Sequence, residues 1–463
     1  MIRIFHAYFP SRTLLLALSE AVLVFLALLA TTSIWFGRDM MLHFFSYENA
    51  LLRITIASLI CMLCMYYYDL YDSWILRNKR EAFTRLVQVL GTACLVMALL
   101  FYAFPSVELG HGPLLTWLVV TGVCLGAWRT LFLSLSRMAG LNERIVFFGA
   151  GPLAEALAKE IVTRPELGLS LQGVIRTGDS AETIQGRPVL GTIDDLPNVI
   201  ERDRVERVII TMGDRRGRLP VEELLTIKAR GVHFEDAADL YEAITGRVPL
   251  AELRPSWLLL SDGFRVSAAM RMYKRLCSIV FSAAGLLLTL PVMAFVAILI
   301  RLDSPGPVLF RQKRVGKGGK VFWLYKFRSM VDNADKDGAA RPAEWEDNRF
   351  TRVGRLLRRT RLDEVPQLYN IFKGDMSFIG PRPFTADMEA ELVGKIPYYS
   401  QRWNVKPGAT GWAQVQRGYC VTLDDNIEKL SFDLFYIKNL SVGLDCLILF
   451  QTIKILMLGR GAQ

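Results

Sequence analysis

Four long apolar stretches in the N-terminal part of the chain limit what this region can form. They lie near residues 13–36, 50–68, 86–104 and 113–135, and each is long enough to cross a hydrocarbon core of roughly 30 Å as a helix. The first stretch is longer than the apolar region of a signal peptide, and three more follow it, which argues against a cleaved signal. A mean hydropathy of +0.28 also indicates a membrane protein. Residues 1–140 are therefore predicted to be a bundle of four transmembrane helices.

Basic residues in the connecting loops orient these spans. The loop after the second stretch carries Arg77, Lys79, Arg80 and Arg85, whereas the connection between the third and fourth, PSVELGHGP, has no Lys or Arg. Loops on the cytoplasmic side are enriched in Lys and Arg. The N-terminus and everything after residue 140 are therefore predicted to face the cytoplasm.

Residues 141–262 change to an α/β pattern. The run ERIVFFGAGPLAEALAKEI reads as a buried strand, a Gly-Ala-Gly turn at residues 149–151 and an amphipathic helix, and further strands follow at LQGVI and RVERVIITM. A lone Gly-x-Gly is a weak signal for a phosphate site, and Arg176 stands where a dinucleotide-binding fold carries an acid. We predict a Rossmann-like cytoplasmic domain in which a scaffolding or oligomerising role is favoured over ligand binding.

Two adjacent carboxylates, Asp363 and Glu364, lie in the basic run RRTRLDEVPQLYNIFKGDMSFIGPRPF, residues 358–384. Pro366 and Gly374 predict a helix that begins near Asp363 and ends at the glycine. A helix N-terminus favours the ionised carboxylate, the form that attacks phosphorus or holds a divalent cation. The plainer alternative, that Asp363 only caps the helix, is outweighed by the arginines around it.

The residue types of the C-terminal third suit phosphoryl transfer. Residues 301–361 contain 16 Lys or Arg against 7 Asp or Glu, and no histidine lies after His233, which disfavours a histidine-base mechanism. Mg²⁺ is the expected cofactor, with Asp363 and Glu364 as its ligands. Nucleic acid is not an expected partner, because an apolar segment adjoins the basic one and no zinc-finger or RNA-recognition pattern is present.

Five motifs in about the last 190 residues resemble the bacterial sugar transferases, polyprenyl-phosphate hexose-1-phosphate transferases of the monotopic phosphoglycosyl transferase superfamily. They are an apolar helix containing Pro291, then FRQKRVGKGGKVFWLYKFRSM, LDEVPQLYNIFKGDMSFIGPRP, KPGATGWAQV and FDLFYIKNLSVGLDCLILFQTIKIL. The resemblance implies that Asp363 attacks the phosphate next to the sugar of a UDP-sugar, forms an aspartyl-phosphosugar intermediate and releases UMP. Polyprenyl (undecaprenyl) phosphate then accepts the sugar phosphate, which initiates an exopolysaccharide or surface glycan.

Position within these motifs assigns phosphate contacts to four cations, Lys326, Arg328, Arg358 and Arg382. A guanidinium can bind two phosphate oxygens at once, and the prolines on either side of Arg382 stiffen the backbone that carries it. These four residues are the predicted substrate-binding groups. The role of the KPGATGWAQV motif is not defined by the sequence.

The fifth apolar stretch, Tyr273 to Ile300, is interrupted by Pro291 and flanked by basic residues at both ends. A spanning helix would place the C-terminal third outside, away from UDP-sugars. The basic flanks and the resemblance favour a helix that enters and returns on the cytoplasmic leaflet of the inner membrane, with its kink at the proline. Residues 263–305 are thus predicted to be a re-entrant membrane hairpin in contact with lipids, and residues 306–463 an α/β catalytic domain.

Two functions of different classes remain open. One is the membrane transferase, and the other is a nonenzymatic membrane nucleotide sensor or assembly scaffold for polysaccharide synthesis. The Asp363-Glu364 pair and the motif from Gly380 to Pro383 favour the transferase, since a scaffold needs neither. The sequence leaves open which sugar is transferred and whether the chain forms a homo-oligomer.

Overall fold

The computed structural model divides the chain into two compact units, Met1–Ile2 with Tyr8–Ala237, and Arg3–Ala7 with Ala238–Gln463. The residues that it describes are 2–4, 7–9, 11–47, 50–72, 75, 79–105, 111–138, 142–176, 183–212, 220–250, 263–264, 266–331, 349–417 and 422–457. Two short strands, β1 Ile2–Ile4 and β2 Ala7–Phe9, open the chain.

Four long helices form the first part of the N-terminal unit. They are α1 Ser11–Tyr47, α2 Ala50–Tyr67, α3 Lys79–Ala103 and α4 His111–Met138. Each contains a segment long and apolar enough to cross a membrane. Ile54, Met65 and Trp117 are fully buried between the helices, whereas many other large apolar side chains, such as Leu18 at 66% exposure, point outward. The prediction of an N-terminal bundle of apolar helices is confirmed.

One pair of opposite charges is buried inside this bundle. Arg129 Nε and Nη2 donate to the two carboxylate oxygens of Glu20 at 2.6 and 2.9 Å, and Nη1 donates to the carbonyl of Leu70 at 3.2 Å. The guanidinium also lies 5.6 Å from the centre of the Tyr71 ring. The pair joins α1 to α4, and because each charge meets its partner, both are tolerated in apolar surroundings.

A six-stranded sheet forms the second part of the N-terminal unit, with strand order β5-β6-β4-β3-β7-β8. Its strands are β3 Glu143–Phe148, β4 Leu169–Ile175, β5 Thr183–Ile184, β6 Arg187–Gly191, β7 Arg207–Ile210 and β8 His233–Asp236. Its helices are α5 Pro152–Thr163, α6 Leu196–Asp203 and α7 Val221–Ala229. All its strand pairs are parallel except β5 with β6. The predicted α/β domain is therefore present.

Packing accounts for the glycine that follows β3. Gly149 has a φ of +99°, and a Cβ at this position would lie 2.7 Å from the side chain of Met212. Thr211 Oγ1 also donates to the carbonyl of Gly149. A residue with a side chain would be strained here in the absence of any ligand.

The C-terminal unit begins with a helix that follows the last strand of the sheet, α8 Ala237–Thr245. Lys438 Nζ donates to both carboxylate oxygens of Glu242 at 3.0 Å, and Trp412 Nε1 donates to the carbonyl of Gly246 at 2.7 Å. The sequence analysis assigned this helix to the Rossmann-like domain. It could not reveal these contacts, because the partners lie more than 160 residues further along the chain. The predicted boundary after residue 262 lies outside the described residues.

A single helix of 36 residues, α9 Ala268–Asp303, follows and continues without interruption through Pro291. Only 11% of its most apolar segment is buried. Both of its ends are attached to the same unit, because Lys274 Nζ donates to Asp445 Oδ2 at 2.9 Å and the backbone N–H of Val353 donates to Asp303 Oδ2 at 3.0 Å.

The remaining elements pack around separate hydrophobic clusters. The strands are β9 Leu309–Val315, β10 Val321–Phe327, β11 Ser377–Ile379 and β12 Gly408–Thr410. The helices are α10 Arg352–Thr360, α11 Gln367–Lys373, α12 Ala386–Lys395, α13 Trp412–Gln416, α14 Leu423–Lys438 and α15 Val442–Met457. β9 and β10 form an antiparallel hairpin, and β11 pairs with β12 in parallel. Residues Leu434 to Ile437 of α14 are at most 1% exposed and belong to one of these clusters, together with Trp412 and Leu392.

Candidate active site

The two adjacent carboxylates lie in a tight turn between α10 and α11. α10 ends at Thr360, the following Arg361 has a φ of +56°, and a 3₁₀ turn covers Leu362–Glu364 before α11 begins at Gln367. The predicted helix start at Asp363 is therefore four residues too early. Pro366 immediately precedes α11 because it has no N–H to donate within a helix. The predicted end is confirmed, since the N–H of Gly374 donates to the carbonyl of Asn370 at 3.0 Å.

Asp363 is a buried carboxylate without a direct partner. The residue is 7% exposed, and its side chain makes no hydrogen bond or ion pair with any residue in the described part of the chain. Burial raises the pKa of Asp363, while Lys326, Arg358 and Arg382 act in the opposite direction. The expectation that a helix N-terminus favours its ionised form is corrected here, because desolvation outweighs the nearby positive charge.

Glu364 is held by two cations. Lys326 Nζ and Arg382 Nη2 donate to the same oxygen, Oε1, at 2.8 and 2.9 Å. Burial alone would raise the pKa of Glu364, but Arg382 and Lys326 together lower it well below its usual value. The neighbouring carboxylates therefore differ: Glu364 is ionised and paired, whereas Asp363 has no bonded partner among the residues that the structure describes.

Arg358 and Arg328, the other two predicted phosphate contacts, have different surroundings. The Arg358 guanidinium lies 4.4 Å from the centre of the Phe350 ring and is one of the cations that act on Asp363. Arg328 is 5% exposed, and its Nη2 donates to the carbonyl and hydroxyl of Ser304 at 2.7 and 2.8 Å. Its role as a phosphate contact stays a prediction, and its bonds favour a structural role at the end of α9.

A buried arginine that sequence analysis missed holds the backbone of Arg382. Arg402 is 4% exposed, and its Nε donates to Asp433 Oδ2 at 2.9 Å while Nη1 donates to Glu389 Oε1 at 3.1 Å. Its Nη2 donates to the carbonyl of Arg382 at 2.9 Å. A buried guanidinium with several fixed acceptors keeps one geometry. No local signal marks Arg402 in the sequence, because its acidic partners lie on two separate helices.

Backbone hydrogen bonds join the KPGATGWAQV motif to the loop that carries Arg382. The N–H of Gly380 donates to the carbonyl of Thr410, and the N–H of Gly408 donates to the carbonyl of Pro381, both at 2.9 Å. A Cβ on Gly408 would lie 2.1 Å from the nitrogen of Gly380. Only glycine permits so close an approach of two backbones. The motif therefore packs closely against this loop and holds its backbone in place.

Chemically, the site offers a free carboxylate surrounded by three cations. A carboxylate of this kind can attack an electrophile whose developing negative charge the cations stabilise. Within the described ranges no three His, Cys, Asp or Glu side chains are grouped as metal ligands.

Comparison with known proteins identifies the family. A UDP-glucose:undecaprenyl-phosphate glucose-1-phosphate transferase of Xanthomonas campestris pv. campestris is 33% identical over 426 residues, which are 86% of this chain and 86% of that protein. The chain belongs to the bacterial sugar transferases. The family profile, described as bacterial sugar transferase, matches residues 269–459. The predicted resemblance and the prediction of a transferase are confirmed.

Other relatives match a smaller share of the chain at higher identity. A UDP-N-acetylgalactosamine-undecaprenyl-phosphate N-acetylgalactosaminephosphotransferase of Aeromonas hydrophila is 44% identical over 222 residues, 48% of this chain and 52% of that protein. An exopolysaccharide production protein PSS of Rhizobium leguminosarum bv. phaseoli is 44% identical over 189 residues, 39% of this chain but 92% of that protein. A profile described as a CoA-binding domain matches residues 67–218.

Proposed function

We propose that the sugar transferase moves a sugar-1-phosphate from a UDP-sugar to undecaprenyl phosphate, as the initiating step of exopolysaccharide or surface glycan synthesis. The observation that carries this proposal is the buried carboxylate of Asp363, which lies beside three cations and bonds to no residue in the described ranges. The printed names of the Xanthomonas and Aeromonas relatives describe transfer to undecaprenyl phosphate from UDP-glucose and from UDP-N-acetylgalactosamine. These two names leave the transferred sugar to experiment.

The reaction proceeds in two displacements at phosphorus. An oxygen of Asp363 attacks the phosphorus next to the sugar, the bond to the bridging diphosphate oxygen breaks, and UMP leaves with that oxygen and its electron pair. A phosphate oxygen of undecaprenyl phosphate then attacks the same phosphorus and restores the carboxylate. Lys326 and Arg382 now bind Glu364 and would exchange it for substrate oxygens, with Arg358 as a third cation.

The residues present fit a divalent cation such as Mg²⁺. The carboxylate of Asp363 bonds to none of the described residues, and one oxygen of Glu364 accepts both the bond from Lys326 and that from Arg382. Asp363 and Glu364 would hold the ion together with substrate oxygens, and when bound it would neutralise negative charge on the diphosphate. Removal of divalent cations with EDTA is expected to stop UMP release, and an unchanged rate would disprove this metal role.

The attachment of both ends of α9 to one unit supports its placement on the cytoplasmic leaflet of the inner membrane. If α9 crossed the bilayer, the contact of Lys274 with Asp445 and that of Asp303 with Val353 would lie on opposite sides. The chain between these contacts, including Asp363, would then have to cross as well. A re-entrant α9 bent at Pro291 avoids this, and the four helices before it would span the membrane. A cysteine near Gly316 should therefore resist an impermeant thiol reagent in intact cells.

The deciding experiment measures UMP release. Membranes containing the protein are supplied with undecaprenyl phosphate and, one at a time, UDP-glucose, UDP-galactose, UDP-N-acetylglucosamine and UDP-N-acetylgalactosamine. We expect release with at least one donor and none with the Asp363→Asn variant. If no donor yields UMP while the protein is folded, the nonenzymatic sensor or scaffold takes the place of the transferase.

A further inference from the structure

A group of cations lies beside the first turns of α9. Arg275 Nη1 and Lys406 Nζ converge on Gly374, since a Cβ on that glycine would lie 3.0 Å from the first atom and 3.3 Å from the second. Lys317 is a third cation, and its positive charge repels that of Lys406. Burial, together with the charges of Arg275 and Lys317, lowers the pKa of Lys406. Three positive charges in a partly buried place repel one another unless an anion joins them.

Within the described part of the chain, Lys406 Nζ makes no hydrogen bond or ion pair. The negative charge of Asp375 favours the protonated form of Lys406, but Asp375 is ion-paired with Lys373 at 3.0 Å. Lys406 is therefore a half-buried cation that lacks a direct counter-charge, and an external anion would fit beside it.

Arg275 is fixed in position rather than mobile on the surface. Its Nη1 donates to the carbonyl of Ile371 at 3.2 Å, and its Nη2 donates to the carbonyl of Phe372 at 3.0 Å. Both carbonyls belong to the C-terminal end of α11, which attracts positive charge. The guanidinium is thus held where it faces Lys406, so the cluster is preorganised.

The cluster lies where the exposed apolar surface begins. Leu276, next to Arg275 on α9, is 61% exposed, and Phe372 on α11 is 42% exposed. Cations at the edge of an apolar surface that enters a membrane lie at the depth of the lipid phosphates. A lipid is therefore better placed than a soluble anion to reach the cluster.

We propose that Arg275, Lys317 and Lys406 bind the phosphate of an anionic phospholipid of the bilayer. The site is separate from the catalytic one. The cations whose charges lower the pKa of Asp363 are Lys326, Arg358 and Arg382, and none of them belongs to this cluster. The inference rests on the proposed membrane attachment of α9 but not on the transfer reaction. It gives a function to the lysine that opens the KPGATGWAQV motif, namely to hold the catalytic unit at a defined depth and orientation.

The test counts lipids bound to the full-length protein. The protein is inserted into nanodiscs of phosphatidylcholine with a minor fraction of phosphatidylglycerol, and the phosphatidylglycerol that it retains on release is counted by native mass spectrometry. We expect the wild type to retain one such lipid. The Lys317→Gln/Lys406→Gln double variant should bind it about thirtyfold more weakly, at about 1 kcal/mol for each lysine.

A matched control removes the same charge elsewhere. The Lys320→Gln/Lys395→Gln double variant changes two exposed lysines outside the cluster and should retain the lipid as the wild type does. The Lys317→Gln single variant, at an exposed residue whose loss does not threaten the fold, should weaken binding about fivefold.

Several results would overturn the proposal. Equal losses in the two double variants would mean diffuse attraction to the membrane surface, and no retained phosphatidylglycerol in the wild type would mean no site. Displacement of the lipid by inorganic phosphate would assign the site to a soluble anion, and one-for-one displacement by undecaprenyl phosphate would assign it to the acceptor. UMP release is measured on the same samples. Its absence in the wild type would contradict the proposed function and leave the lipid count valid.

Discussion

Two buried carboxylates, Glu20 in the helix bundle and Asp363 in the catalytic unit, each lie near arginine but meet it in different ways. Both oxygens of Glu20 accept bonds from one guanidinium, that of Arg129. Asp363 has three cations nearby and is bonded to none of them in the described part of the chain. A fully matched pair specifies helix packing, whereas an unmatched charge weakens the fold and keeps its reactivity.

The largest effect is expected from Asp363→Asn. An amide of nearly the same shape cannot attack phosphorus, so UMP release should fall by at least about 10⁴-fold. Burial raises the pKa of Asp363, so the ionised carboxylate destabilises the folded state at neutral pH. The variant should therefore unfold at the same temperature as the wild type or slightly higher. Glu391→Gln, which removes an exposed carboxylate, is the control and should change neither quantity.

The opposite pattern is expected from Glu20→Gln. This change leaves Arg129 buried without its counter-charge, which should lower the free energy of unfolding by about 3–5 kcal/mol. Thermal unfolding in nanodiscs measures the loss. The kcat per folded molecule should change less than twofold, because Glu20 belongs to the N-terminal unit. If Glu20→Gln lost turnover without losing stability, the assignment of a structural role to this pair would be wrong.

Arg402→Lys tests whether a third buried charge acts through Arg382. Lysine keeps the charge but cannot reach Asp433, Glu389 and the Arg382 carbonyl together, so kcat should fall by about 10–100-fold. Trp403→Phe is the matched control. It removes a bond of 3.0 Å to the same Glu389 without touching Arg382, and should cost less than about threefold. Similar losses in both variants would mean that the network only supports the fold.

Truncation compares the two units directly. A protein that begins near Val266 keeps every residue assigned to chemistry and is expected to release UMP. It lacks α8, however, and so leaves the partly buried Lys438 without Glu242. Its free energy of unfolding should therefore be about 2–4 kcal/mol lower than that of a protein that begins before Ala237. Guanidinium titration of both truncated proteins measures the difference. A well-folded but inactive shorter form would show that α8 contributes to the site itself.

The smallest expected effect is a shift of the pH profile. Since Asp363 must be ionised and its pKa is raised, activity should fall at a pH above the usual range of an aspartate as the medium is acidified. Lys326 lowers this pKa, so Lys326→Gln should move the acid limb of kcat/KM to higher pH. Glu364, whose pKa is depressed, stays ionised across this window. A shift to lower pH would contradict the assignment, and Lys320→Gln should cause none.

The sequence by itself determined the family, the apolar helices, the Asp363-Glu364 pair and the end of α11 at Gly374. Each of these depends on residues close together in the chain, such as a run of apolar side chains or a glycine after a helix. Tertiary structure alone decided that Glu364 is paired while Asp363 bonds to no other described residue, because Lys326 and Arg382 reach Glu364 from 38 and 18 residues away.

Contacts between distant segments also explain two features that the sequence analysis did not predict. Arg402 has no local mark, since its bonds to Asp433 and Glu389 form only when α12 and α14 pack together. The placement of α8 in the C-terminal unit likewise depends on Lys438 and Trp412. Short-range patterns specify which elements form, but burial and charge pairing between distant segments determine which carboxylate is left free to react, because desolvation and Coulomb forces act through space rather than along the chain.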